Sequence, residues 1–378
     1  LNRSLNQYFA TVARGLETLA AQELEKLGAH NVQIGFCGVS FEGDRHLLYL
    51  INLWARLPFR ILVKLDEFDC LDGEDLYQGI KGIDWSAYLS PEMTLSVNAT
   101  GKSDRLNHTH FTALQVKNAI VDQQMERLGE RSNVDVQEAD LRIAVHIEDD
   151  LCTVSLDSSG DSLHRRGYRP AVGAAPLKES LAAALIQISD WQPEQMFYDP
   201  LCGSGTLPLE ACLKALNIAP GMFRERFGFE TWLDFDQELW EQLIQDADDG
   251  RRQSLAAPIW GSDGNAEVVN QAIANAQNCG LANHVYFSHL DLMEVEAPAD
   301  CGVIFCNPPY GERLGNKQDI GNFYKQLGSI LKQRFKGWTA FILSGNKELS
   351  QNIGLKSAYR TPIFNGSLPC QLMKYELY

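Results

Sequence analysis

Met196-Phe197-Tyr198-Asp199-Pro200-Leu201-Cys202-Gly203-Ser204-Gly205-Thr206-Leu207-Pro208-Leu209-Glu210 is the stretch on which the fold turns. The apolar residues before Asp199 predict a strand, the glycines a sharp turn, and Leu207 to Ala215 a helix. Gly203 and Gly205 let the backbone turn tightly and come close to a ligand. The helix directs the positive end of its dipole at that point. Strand, Gly-rich turn and helix together form the first turn of a doubly wound α/β domain, where ligands bind outside the carboxyl ends of the strands. The spacing is neither the dinucleotide fingerprint Gly-x-Gly-x-x-Gly nor a P-loop, since no Gly-Lys-Ser/Thr follows. Nothing here is built to cradle a pyrophosphate. A turn opening with Asp199 suits a ligand with an amino-acid end and a nucleoside end.

Three more strand ends follow. Pro258-Ile259-Trp260-Gly261-Ser262-Asp263 ends in a carboxylate that can accept from ribose hydroxyls, with a helix from Ala266 to Gly280 behind it. Val285-Tyr286-Phe287-Ser288-His289-Leu290-Asp291 ends in a second, placed to accept from an adenine amino group. Taken singly, each aspartate also reads as a helix cap or turn residue. The fourth end is Gly302-Val303-Ile304-Phe305-Cys306 followed by Asn307-Pro308-Pro309-Tyr310. Alone, this is a strand with a Pro-rich turn. It is also a holder for a planar amino group: the Asn307 oxygen and the Pro308 carbonyl accept its two N–H bonds, and Tyr310 stacks on the ring. Such a nitrogen is a poor nucleophile because its lone pair is delocalised. Fixed acceptors favour the pyramidal form that attacks a methyl group, so no strong base is needed. The four ends in this order imply S-adenosylmethionine as cofactor, with Asp199 and the Gly203–Gly205 turn at its amino-acid end, Asp263 at its ribose, Asp291 at its adenine, and Thr206 closing the cofactor loop.

Residues 176–378 resemble a class I methyltransferase of the amino-group type. Pro176-Leu177-Lys178-Glu179-Ser180-Leu181-Ala182 and Leu163-His164-Arg165-Arg166-Gly167-Tyr168-Arg169 are similar to segments of the THUMP-domain RNA methyltransferases. Within that family the likeness is to enzymes that methylate N2 of a guanine in 23S ribosomal RNA. The resemblance implies 23S rRNA or the assembling large subunit as partner, with the base flipped out of its stack. Glu312 and Arg313 stand next to the motif, close to where such a base would lie. The wide interval from Asp199 to Asp263 holds an insertion over 220–248, similar to one in the same subfamily, whose physical role the sequence does not give.

The N-terminal half has another rhythm. A strand at Tyr8–Ala13, an amphipathic helix closing at Gly28, a hairpin within Asn31–Phe41, a helix over Asp44–Leu57 and a strand at Phe59–Phe68 give β-α-β-β-α-β, the ferredoxin-like order. The pattern then restarts with a helix over Asp75–Leu89, a strand at Met93–Thr100, a helix from Thr109 to Leu128 and a hairpin from Leu141 to Leu156; this half resembles a THUMP domain, an RNA-binding module. The expected organisation is α/β: a ferredoxin-like region (1–68), a THUMP domain (69–157), an Arg-containing linker (158–175) with a hinge at Ser158–Ser162, and a Rossmann-like class I methyltransferase domain (176–378).

Charge bears on the partner. The chain carries a formal −16, whereas counterion release favours basic RNA-binding proteins. RNA contact therefore falls to local patches: Arg165, Arg166 and Arg169 in the linker, Lys117 on the long helix, and Lys102 and Arg105 before it. The same residues also read as a solvated connector and as solubilising charges. A DNA methyltransferase, which would need a large basic recognition domain, is disfavoured. Methylation of tRNA guanine, or less readily of a protein glutamine, stays open, as does a non-catalytic RNA-binding factor. Nine cysteines without Cys-x-x-Cys pairs suggest reduced thiols and no metal. His108 and His110 find no third ligand and are expected to be exposed helix-start residues. With no apolar run long enough to span a bilayer and no signal-peptide pattern at the start, a cytoplasmic protein is expected.

Overall fold

The computed structural model describes residues 5–169, 177–309 and 317–378. Two compact units divide it: residues 1–12, 20–163 and 225–244 form one, and residues 13–19, 164–224 and 245–378 the other.

The first unit is built on one mixed sheet. Its strands are β1 (Asn6–Thr11), β2 (His30–Gly35), β3 (Gly38–Gly43), β4 (Arg60–Asp69), β5 (Thr94–Gly101), β6 (Asn133–Val134), β7 (Leu141–Glu148) and β8 (Leu151–Asp157), in the order β2-β3-β1-β4-β8-β7-β5-β6. Its helices are α1 (Glu17–Lys26), α2 (Arg45–Trp54), α3 (Gly73–Gly82) and α4 (Thr109–Leu128); residues 17–19 of α1 fall in the other unit. The ferredoxin-like order is present in β1 to β4. The THUMP segment continues the same sheet, because β4 pairs antiparallel with β8 from Leu62↔Asp157 to Asp69↔Leu151. Strict alternation of buried residues along β7 turns Leu141, Ile143, Val145 and Ile147 onto α3 and α4, in a core with Trp85, Val116 and Ile120. Asp44 and Asp72 accept from the first-turn amides of α2 and α3, which is why those helices start there.

Ser158–Ser162, expected as a hinge, begins as a buried strap. Ser158 Oγ donates to the Ile61 carbonyl at 2.8 Å, and Ser159 Oγ donates to Asn52 Oδ1 at 2.7 Å while accepting from Ile61 N–H. Polar composition was misleading, because each hydroxyl finds a partner about 100 residues away.

The insertion has a structural role too. Glu225–Ile244 belongs to the first unit, where Phe229 stacks on Tyr49 at 4.2 Å, Trp240 meets both rings edge-on, and Tyr49 Oη accepts from Asp236 N–H.

The second unit carries a seven-stranded sheet, β11-β10-β9-β12-β13-β15-β14, made of β9 (Phe197–Asp199), β10 (Ile259–Asp263), β11 (Val285–His289), β12 (Val303–Cys306), β13 (Thr339–Ser344), β14 (Tyr359–Asn365) and β15 (Leu368–Glu376). Strands β9 to β13 run parallel and β15 antiparallel. The helices are α5 (Glu179–Ile188), α6 (Thr206–Ala215), α7 (Gln237–Asp249, shared between the units), α8 (Ala266–Asn278), α9 (Lys317–Arg334) and α10 (Lys347–Gln351). All four residues of β12 are buried, as expected for a central parallel strand covered on both faces. Phe197, Phe305 and Phe341 stack across three adjacent strands at 5.0 and 5.1 Å. On the other face Tyr198, Ile304 and Ile342 pack with Tyr324, Leu327 and Leu331 of α9. The reversal of strand order lies between β9 and β12, and there the crevice opens. Among the described residues no helix is long and apolar enough to cross a membrane.

Candidate active site

At the carboxyl end of β9 the chain leaves through the Gly-rich turn, pinned by hydrogen bonds from Cys202 N–H to the Ser262 carbonyl and from Gly205 N–H to the Cys202 carbonyl, both 2.9 Å. Gly205 has φ +86° and is the cap residue just before α6. A Cβ there would lie 2.8 Å from the Phe287 ring and 3.0 Å from Ala272 Cβ, so the position demands glycine twice over. Gly203 has φ +53° but open space where its Cβ would be.

A cavity of about 730 Å³ lies against this turn, a size suited to a nucleoside-containing ligand with room to spare. Asp199, Gly203, Thr206, Asp263, Asp291 and Asn307 all line it. Gly205 and Pro308 do not; Gly205 shapes the turn from behind, and Pro309 reaches the cavity instead. Tyr310, Glu312 and Arg313 lie outside the described residues.

Asp199 is 1% exposed, and its Oδ1 accepts from Leu201 N–H at 3.0 Å. Burial, partly offset by that bond, and the nearby Asp263 charge hold its carboxyl well above the usual range. A cationic ammonium group brought beside it would restore the charged form. Asp263 accepts from Gly203 N–H through Oδ2 and from Asn265 N–H through Oδ1, each at 3.0 Å. It therefore clamps the Gly-rich turn to the end of β10, a task absent from the sequence reading. Asp291 lies two residues beyond the end of β11 and accepts from Met293 N–H at 2.8 Å.

Asn307 follows β12 directly, and its Oδ1 is buried with no hydrogen-bond partner among the described residues. An orphaned buried acceptor is costly unless a ligand uses it. Ser204 Oγ is a second orphan on the same wall. Ser204 and the α9 residues Phe323 and Gln326 were not singled out in the sequence: a serine between two turn glycines carries no signal of its own, and the α9 pair is brought to the cavity only by the packing of that helix. The donor set fits S-adenosylmethionine, because an ammonium, two ribose hydroxyls and an adenine amino group all donate and the cavity presents carboxylates.

The arginines take another place. Arg166 is 1% exposed and pairs with Glu210 at 3.4 Å; Tyr168 Oη donates to the same carboxylate. Arg169 pairs with Glu179 at 2.6 Å and donates to Thr206 Oγ1 at 3.1 Å. As placed, Arg166 is out of reach of any external phosphate, and Arg169 is engaged with the first residue of α6. Arg165 is exposed. Lys117 is half-buried with its ammonium on Asn118, and Arg105 lies 3.6 Å from Asp72. His108 and His110 are exposed, and His108 makes no side-chain cap.

A parallel sheet ordered in this way, with a Gly-rich cradle at β9 and Asn-Pro-Pro after β12, defines a class I methyltransferase. A family model described as the RMKL-like methyltransferase domain matches residues 166–374, with THUMP and RlmL ferredoxin-like models matching 72–157 and 7–62. A putative RNA methyltransferase of Synechocystis is 57% identical, covering 98% of this chain and 97% of that protein. The ribosomal RNA large subunit methyltransferase K/L of Methylococcus capsulatus is 39% identical over 98% of this chain, which spans 51% of that relative's length. A crystal structure of a putative methyltransferase complexed with SAH superposes with a TM-score of 0.89 at 31% identity, covering 99% of this chain and 98% of that one. The chain belongs to the RMKL-like methyltransferase family, and its cofactor is S-adenosylmethionine.

Proposed function

We propose that this protein methylates the exocyclic N2 of a guanine in large-subunit (23S) ribosomal RNA, acting on a base flipped out of its stack. The observation that carries the reading is Asn307 Oδ1, a buried acceptor without a partner among the described residues, on the wall of the cofactor cavity. When bound, the cofactor supplies an electrophilic methyl group. Asp199, the Gly203–Gly205 turn, Asp263 and Asp291 hold it by accepting from its donors. Asn307 Oδ1 and the Pro308 carbonyl accept the two N–H bonds of the substrate amino group, and Tyr310 stacks on the base. This holds the nitrogen lone pair free for in-line attack, with alignment supplying much of the acceleration. Extruding the base costs a few kcal/mol, least for an unpaired guanine.

RNA as substrate is supported by the THUMP match and by relatives whose names place them on RNA, two of them on large-subunit rRNA. The purified chain, given labelled S-adenosylmethionine and separated rRNA, tRNA and protein from cells lacking the gene, should label rRNA as N2-methylguanosine. Label confined to tRNA moves the target while keeping the chemistry. Label in protein alone, or a different methylated nucleoside, overturns the reading.

A further inference from the structure

On the flank of α9, away from the cofactor cavity, lies a second cleft of about 570 Å³. Lys325, Ser329, Lys332 and Gln333 line it from the helix and Lys336 from just beyond its end, facing the loop Asn352–Gly354. Positions 325, 328, 329 and 332 follow the i, i+3, i+4, i+7 spacing that puts residues on one helix face. Gly328 makes the floor. A Cβ there would lie 1.8 Å from the Ile353 carbonyl oxygen, so the loop rests directly on the helix backbone.

The charge of this cleft is out of character for the chain, which has 49 acidic and 33 basic residues. No carboxylate lines it. All three lysines are exposed, and among the described residues none forms an ion pair. Compensation of the helix dipole covers only the last turn. Lys332 and Arg334 lie in that turn, and Arg334 is taken up by the Met293 and Val295 carbonyls and by Glu296. Lys325 is well inside the helix, where the dipole gives it no reason to be. It stands level with Phe323 and Gln326, which line the cofactor cavity. Lys332 is about 10 Å farther along the axis at 1.5 Å per residue, and Lys336 lines the cleft from the turn after the helix.

We propose that this cleft is a phosphate track, holding the RNA strand that flanks the target base as it leaves the active-site edge of the sheet. A row of point charges suits a polyanion and reads no bases, so its contribution is placement and affinity without sequence preference. The row exceeds the size of a single phosphate, which favours a nucleic-acid backbone over a small free anion. The proposal rests on the RNA reading above, and the test separates the two.

The test compares wild type with the triple variant Lys325→Gln/Lys332→Gln/Lys336→Gln and the charge-keeping triple Lys→Arg variant. Binding to large-subunit rRNA from cells lacking the gene is followed as salt rises. Three lost phosphate contacts at about 0.7 each predict a slope of log affinity on log salt shallower by about 2, hence about a hundredfold weaker binding near 0.1 M. KM for RNA should rise with kcat at saturating RNA and S-adenosylmethionine affinity unchanged, and the Arg variant should behave as wild type. Wild type that fails to methylate RNA sinks the RNA reading itself. Normal methylation by wild type, with slope and KM unchanged in the Gln triple, overturns the track alone and points to another occupant such as an acidic protein surface.

Discussion

Substituting Gly205 by alanine tests whether the Gly-rich turn is shaped by sterics from behind or only by its φ. The left-handed backbone alone costs an L-residue about 1–2 kcal/mol. At Gly205 the added methyl would also stand 2.8 Å from Phe287 and 3.0 Å from Ala272, with Phe287 held on β11 and Ala272 on α8. Overpacking of this kind adds about 1–3 kcal/mol, so Gly205→Ala should lose about 2–5 kcal/mol in all. Gly203→Ala is the internal control: φ is +53° but nothing lies near its Cβ, so only the backbone cost of about 1–2 kcal/mol applies. Urea denaturation of both variants gives the comparison, and titration with S-adenosylmethionine shows whether relief of the clash displaces the cradle and weakens binding. Equal stabilities for the two variants would refute the packing account of the turn.

Further outcomes follow from the same geometry. The raised carboxyl of Asp199 means that the folded protein holds its proton more tightly than the unfolded chain. That contribution to stability is full below the ordinary carboxylate pKa and is lost as pH rises through the raised value. Asp199→Asn should therefore raise Tm of the ligand-free protein more at pH 8 than at pH 4. Cofactor binding by wild type should release a proton, read as a dependence of calorimetric heat on buffer ionisation. Arg166→Met leaves the buried Glu210 without its opposite charge, with only the Tyr168 hydroxyl still donating to it, and should cost about 3–5 kcal/mol without changing the salt slope of RNA binding; a changed slope with intact stability would return Arg166 to the RNA surface. Ser159→Ala strips a donor from Asn52 Oδ1 and an acceptor from Ile61 N–H, with an expected loss of about 1–3 kcal/mol on denaturation; a neutral result would restore the hinge.

What the sequence revealed and what it hid divide by the range of the interactions. The strand ends at Asp199, Asp263 and Asn307 were legible because parallel strands are short apolar runs closed by turn residues, and the side chains that line the cavity sit at those closures. The ferredoxin-like order was legible from alternating and helical periodicities. Pairing of β4 with β8 was not, since nothing local in Arg60–Asp69 names a partner about 90 residues on. The same holds for Tyr49 and Phe229, and for Arg166 and Glu210: a surface-like arginine motif becomes interior through a carboxylate supplied by another element. Asp263 shows a subtler gap. Its location was readable, but its grip on Gly203 N–H depends on how β9 and β10 stand side by side.

The most direct test of the account is a paired measurement on Asn307→Ala: single-turnover methyl transfer to large-subunit rRNA from cells lacking the gene, and affinity for S-adenosylmethionine. Loss of one placed acceptor should slow transfer by about 10²–10³-fold and leave cofactor affinity within a few-fold of wild type. Transfer at the wild-type rate would contradict the assignment of Asn307 as the acceptor that readies the substrate nitrogen.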